Sequence, residues 1–283
     1  MSTNPPPGPW IEAWLSAPRF GVYLEAAGGD RQFALVLYEW NALVSAACQR
    51  DLAHLEVALR NAYDAAIVAN TPAGPPHWTT DPYRLFPVRW RAARDGTRID
   101  ANPSPREQIE RAVREAGPGV PTGKVIAELM FGFWRYLSTA AHHHPLWIPY
   151  LHNAFAPGAS RPAVDRPVGR LHQMRNRSAH HEPLLRRNTA TGVLSLTTQH
   201  LVDRHDDLLT VAELISPELS DYIAATSTVR DQIDRHPRWT PAGHRPRPHW
   251  RPTLRRARAE PATIGRGESV RPAQWPPMPG CGR

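Results

Sequence analysis

Between Gln32 and Asn70 the chain runs without a single Gly or Pro, although it holds 18 glycines and 31 prolines in 283 residues. Those two residues are the strongest local breakers of regular structure, so an uninterrupted run of this length predicts one long helix, stopped at Thr71-Pro72. Within it Leu52, Leu55, Leu59, Ala62 and Ala66 recur at spacings of three and four, the stripe of a helix buried along one face. Glu56 and Arg60 stand four apart in the orientation that favours a helical ion pair.

Further helical patterns follow. One opens at Ser104-Pro105 and runs to Gly117, and a second starts near Thr122 and carries Phe131-Gly132-Phe133-Trp134. Gly132 there is expected to let a neighbouring helix approach. A third begins near Asp165 or Pro167, and a last pattern from Leu201 to His236 is interrupted at Ser216-Pro217, where one helix stops and the next is capped. No segment alternates convincingly as a strand. The expected fold class is all-α, a helical bundle spanning residues 31–237.

Two segments flank that bundle. Residues 1–30 read as a Pro-rich arm with a short helical patch, Trp10, Ile11, Trp14 and Leu15, broken at Gly28-Gly29. Residues 238–283 have nine prolines and ten arginines against Glu260 and Glu268, so this tail carries the whole net charge of +8. Few aliphatic residues stand in it to offset the entropy of ordering, and a disordered Pro/Arg-rich tail is expected. It reads either as a nonspecific arm for RNA or DNA or as a solubilising tail. Residues 71–104 read as an irregular connection in which Arg84, Arg89, Arg91 and Arg94 interleave with Trp78, Tyr83, Phe86 and Trp90. That interleaving suits either a loop clamped on the core by its aromatics or a nucleic-acid contact.

Two cysteines, Cys48 and Cys281, make neither a disulfide framework nor a tetrahedral metal set. The start MSTNPPPGPW lacks a basic residue followed by an apolar run, and no stretch is apolar enough for a membrane span. A cytoplasmic protein without membrane contact is expected. His142-His143-His144 are adjacent and so point apart on any regular backbone, whereas a metal needs converging ligands. No metal and no cofactor are expected.

The densest chemistry lies in Leu171 to Leu184, LHQMRNRSAHHEPL. Val164, Val168, Leu171, Arg175 and Ser178 recur at helical spacing, so Arg175 falls on the line of the apolar stripe and is expected to face inward. Asn176 and His180 share a face beside that stripe, while Arg177 and His181 form a second pair further round. Pro183 ends the helix. Both histidines then sit in the last turn, where the negative end of the helix dipole favours the protonated ring, a setting suited to proton transfer near neutral pH.

The string Arg175-Asn176-Arg177-Ser178-Ala179-His180 resembles the signature of the HEPN superfamily of helical ribonuclease-like domains, in which an arginine, a polar residue and a histidine follow at this spacing. RNRSAHHEPLL, HLEVALRNAY near Glu56 and the FGFW at Phe131 resemble its Abi-like (abortive infection) branch more closely. The resemblance covers roughly residues 33–237. It implies a metal-independent endoribonuclease of toxin type working in phage defence, with two copies of the helix paired across a homodimer. His180 would be the general acid or base, Arg175 would stabilise charge on phosphorus, and Asn176 would hold phosphate or imidazole; His181, Arg177, Glu56 and Arg60 would support them. RNA is the implied partner, together with an antitoxin or activator. The different reading is a non-catalytic RNA-binding or dimerising helical protein of the same fold, and a third is that these residues form a buried polar network fixing the core.

Overall fold

The computed structural model describes residues 6–71, 76–187, 194–195 and 197–237, and the basic tail lies outside them. The described chain is mostly helical. Its spine is the long helix predicted above, α3, which follows two N-terminal helices, α1 (Trp10–Leu15) and α2 (Ala17–Ala26), and spans Arg31–Ala69. Asp30 Oδ1 accepts from the Phe33 N–H at 3.0 Å, a cap worth about 1 kcal/mol. At 1.5 Å per residue α3 is roughly 58 Å long, enough to carry the rest of the bundle. Leu37, Val44, Leu52, Leu55, Leu59, Tyr63 and Ile67 are buried along it.

The N-terminal segment adds two helices rather than one. Ile11, Leu15, Phe20 and Tyr23 are buried, and Arg31 donates to both carboxylate oxygens of Glu12 at 2.6 Å, which fastens α1 to the start of α3.

Residues 71–104 are more regular than expected. A short helix α4 (Pro82–Leu85) leads to a hairpin of β1 (Trp90–Ala92) and β2 (Arg98–Asp100), with Trp90 opposite Asp100 and Ala92 opposite Arg98. Strands this short leave almost no alternation to read. A second short pair, β3 (Arg186–Arg187) and β4 (Leu194–Ser195), follows later in the chain.

After α5 (Pro103–Ala116), the helix expected from Thr122 is two helices, α6 (Thr122–Glu128) and α7 (Phe131–Leu137). Leu129 turns extended at φ −77°, ψ 117°, and its carbonyl accepts from the Trp134 indole N–H at 3.0 Å. Phe131, Phe133 and Trp134 are buried.

α8 (Arg161–Ala179) starts a turn earlier than expected, because Ser160 caps the Ala163 N–H at 3.3 Å and Pro167 is carried inside the helix. α9 (Gln199–Ile215) and α10 (Pro217–Thr226) meet at Ser216, whose Oγ accepts from the Leu219 N–H, as the Ser-Pro signature predicts. α11 (Val229–Asp234) closes the described fold.

One buried polar network ties α3, α9 and α11 together. The Ser227 hydroxyl donates to Asp51 Oδ2 at 2.5 Å, and its own oxygen lies 3.1 Å from His205 Nε2. Arg230 Nε donates to His205 Nδ1 at 3.3 Å, which places the ring proton on Nε2. A serine, a histidine and an aspartate meet here, but the hydroxyl proton is committed to Asp51. The trio therefore braces the fold and offers no nucleophile.

Candidate functional site

α8 brings its side chains to three different neighbours. Val164, Val168, Leu171 and Ser178 are fully buried, and Arg175 continues their line while remaining half-buried. There it borders a shallow open cleft of about 220 Å³ lined by Gln49, Leu52, Ala53, Glu56, Arg175 and Ala179. α3 thus supplies one wall and α8 the other.

Glu56 stands in this cleft, half-buried. Burial pushes its carboxyl above the ordinary carboxylate value, while the Arg175 and Arg60 charges and the backbone of Phe131 pull it back. The expected contact ion pair with Arg60 does not form. Glu56 turns toward Arg175 and the start of α7, and Arg60 keeps a buried Nε without a hydrogen-bond partner.

On the adjoining face of α8, Asp165, Gly169 and His172 meet Arg135, Gly132 and Phe131 of α7, and Asn176 continues their line at spacings of three and four. Asn176 Nδ2 donates to His172 Nε2 at 3.3 Å, which fixes the imidazole proton on Nδ1. A Cβ on Gly132 would lie 3.2 Å from that nitrogen, so the glycine makes the room the ring occupies. Burial first, then the Arg135 and Arg175 charges, hold His172 below the ordinary histidine pKa. The forward spacing from Asn176 to His180 does not point to this histidine. The signal was present, since His172 precedes Asn176 by the same four residues that separate it from His180.

The end of α8 is built differently from the expected two further helical residues. His180 is the C-cap and His181 adopts φ 54°, the left-handed conformation. The Glu182 N–H donates to the Arg177 carbonyl at 2.8 Å and the His181 N–H to the Ser178 carbonyl at 3.1 Å, the paired bonds of a Schellman ending. Arg177 donates to the carbonyls of Pro183 and Leu185 and lies 3.7 Å from Glu182, so its guanidinium is engaged in holding the turn. Leu184 is pinned from both sides, its N–H by Asn41 Oδ1 at 2.7 Å and its carbonyl by His200 at 2.8 Å.

Arg175, Asn176, Glu56, Arg60 and His172 therefore share one region of the bundle. His180 and His181 are exposed, and among the described residues no hydrogen bond joins either ring to Arg175 or Asn176. His180 directly follows Ala179, which lines the cleft, and its carbonyl is held by Arg19 of α2 at 3.4 Å. Among the described residues no three His, Cys, Asp or Glu side chains are arranged to hold a metal ion. His142 is buried against Phe86 and Tyr136, and Cys48 is a buried free thiol pushed up to about 12 by burial.

Fold and site together define an all-α protein with a half-buried arginine and a carboxylate at a cleft on the longest of its described helices. No family model, curated protein or solved structure matches the chain.

Proposed function

We propose that this protein is a metal-independent endoribonuclease of abortive-infection type that cleaves RNA at a cleft completed by a second copy of the chain. The observation that carries the reading is Arg175. Its guanidinium borders an open cleft, and among the described residues it has no hydrogen bond and no carboxylate in contact, Glu56 acting on it only through space. A half-buried cation left unpaired in this way is suited to an anion that arrives from outside, and a phosphodiester is such an anion.

In the proposed reaction the ribose 2′-oxygen attacks phosphorus as a base takes its proton. The bond from phosphorus to the 5′-oxygen breaks as an acid supplies a proton to that oxygen. The products are a 2′,3′-cyclic phosphate and a 5′-hydroxyl. His180 is the proposed proton carrier, Arg175 the stabiliser of charge on the phosphoryl oxygens, and Asn176 the group that orients phosphate or imidazole. The exposure of His180 agrees with work across a homodimer interface rather than within one chain. Leu43, Ala46, Ala53 and Val57 are exposed along one face of α3 beside the cleft, with Arg50 among them, a partly apolar surface of the kind that a second copy would cover. Abortive-infection or phage-defence work in the cytoplasm, under an antitoxin or activator, belongs to the same proposal.

A substrate with one 2′-deoxy residue tests the chemistry. Cleavage should vanish at that linkage only, and all cut ends should carry 2′,3′-cyclic phosphate; cutting at the deoxy linkage would refute the 2′-hydroxyl route. The second reading is a non-catalytic RNA-binding or dimerising protein, favoured by the lack of contact between His180 and Arg175 within one chain. RNA retention without cleavage would select it.

A further inference from the structure

The β1–β2 hairpin carries Arg89, Arg91, Arg94 and Arg98, and among the described residues none of these guanidiniums makes an ion pair or a hydrogen bond. The hairpin's own carboxylates are already committed. Asp100 accepts from the Arg89 and Asn102 N–H groups at 2.9 and 3.0 Å and is paired with Arg106, which pulls its pKa down to about 2. Asp95 accepts from the Thr97 N–H and hydroxyl at 3.0 and 2.7 Å. A cationic surface remains with nothing within the hairpin to neutralise it.

Trp90 lies on that surface and is 57% exposed, whereas Trp78 and Trp134 are 1% and 0% exposed in the core. Its register places it diagonally beside Arg98 on one face of the hairpin, with that guanidinium 5.4 Å from its ring centre. The base of the hairpin is fastened to the body: Arg106 Nη1 donates to the Phe86 carbonyl and Asn102 Nδ2 to the Pro87 carbonyl, both at 2.8 Å. Arg84, by contrast, is spent on the Pro76 carbonyl at 2.9 Å and does not belong to this surface.

We infer that this hairpin is a docking arm for single-stranded RNA, with a base stacked on Trp90 and neighbouring phosphates held by Arg89, Arg91, Arg94 and Arg98. An aromatic face takes any base, and unpaired arginines beside it take the backbone, which is how sequence-tolerant single-strand binding is built. The choice of RNA among polyanions rests on the ribonuclease reading, but binding at the hairpin needs no cleavage.

The test uses the full chain and a 2′-O-methyl oligouridylate, which 2′-hydroxyl attack cannot cut. Trp90→Ala is expected to weaken binding about tenfold. Replacing Arg91, Arg94 and Arg98 together by Gln is expected to lower the slope of log affinity against log salt by about 2. A 4-thiouridine probe should cross-link within residues 88–101, which separates the hairpin from any contribution of the basic tail. Unchanged affinity and slope in both variants, or cross-links only elsewhere, would overturn the proposal even if the parent cleaves RNA. Loss of binding in these variants would uphold it even if no form cleaves anything. Arginine-dependent binding to phosphatidylserine vesicles with no binding to the oligouridylate would assign the surface to a membrane and overturn it.

Discussion

His181 occupies the left-handed position that ends α8, where the absence of a side chain is normally the favoured solution. A histidine in this conformation is strained, so His181→Gly is expected to stabilise the fold by roughly 0.5–1 kcal/mol, read as a higher urea midpoint. A lower midpoint would mean that the ring makes a contact worth more than the strain. Glu56 is the other informative residue. Because burial raises its pKa, Glu56→Gln should leave stability unchanged or slightly raised while lowering RNA cleavage through Arg175. Unchanged cleavage with unchanged stability would remove Glu56 from the site. Arg175 was legible from sequence because its place on an apolar stripe is a matter of periodicity. The Arg177 bonds to Pro183 and Leu185 were not, since they depend on how the chain turns after the helix.

α3 was legible almost to the residue, because a run free of Gly and Pro favours one helix and Thr71-Pro72 supplies the stop signal; Asp30 caps its start. The break between α6 and α7 was hidden, since it is held by the Trp134 indole reaching the Leu129 carbonyl rather than by a local breaker. The elements at the other end of the fold are joined by Ser227, which serves Asp51 and His205 at once. Ser227→Ala leaves a buried carboxylate short of a donor and is expected to cost about 2 kcal/mol in urea unfolding. A loss below a few tenths would show that water replaces the hydroxyl and that the network does not brace α11. Gly132→Ala probes the α7–α8 contact. The added methyl would press on the His172 ring at 3.2 Å, and RNA cleavage should fall more than stability if the His172–Asn176 pair positions the site.

Acid sensitivity belongs to the whole molecule. His142, His172, His200 and His205 all have pKa values lowered chiefly by burial, His142 to about 4. Each ring is harder to protonate folded than unfolded, so below about pH 6.5 the unfolded chain binds more protons and stability falls with pH. The His142 share is complete only below its folded pKa and reaches about 3 kcal/mol at most. Glu56, raised by burial, works in the opposite sense and offsets a part. Urea midpoints at pH 7 and pH 5 should show the decline, and His142→Gln should make it shallower; a midpoint that does not fall on acidification would contradict this balance. No helix of the described chain is long and apolar enough to cross a membrane.

The central claim is a histidine and arginine site that cuts RNA without metal. The most direct measurement is cleavage of single-stranded RNA in excess EDTA by the parent and by His180→Ala and His181→Ala variants matched for folding. Cleavage by the parent and by His181→Ala, abolished by His180→Ala, is the predicted result. Cleavage that requires a divalent cation, or that survives His180→Ala at the parent rate, would contradict the account.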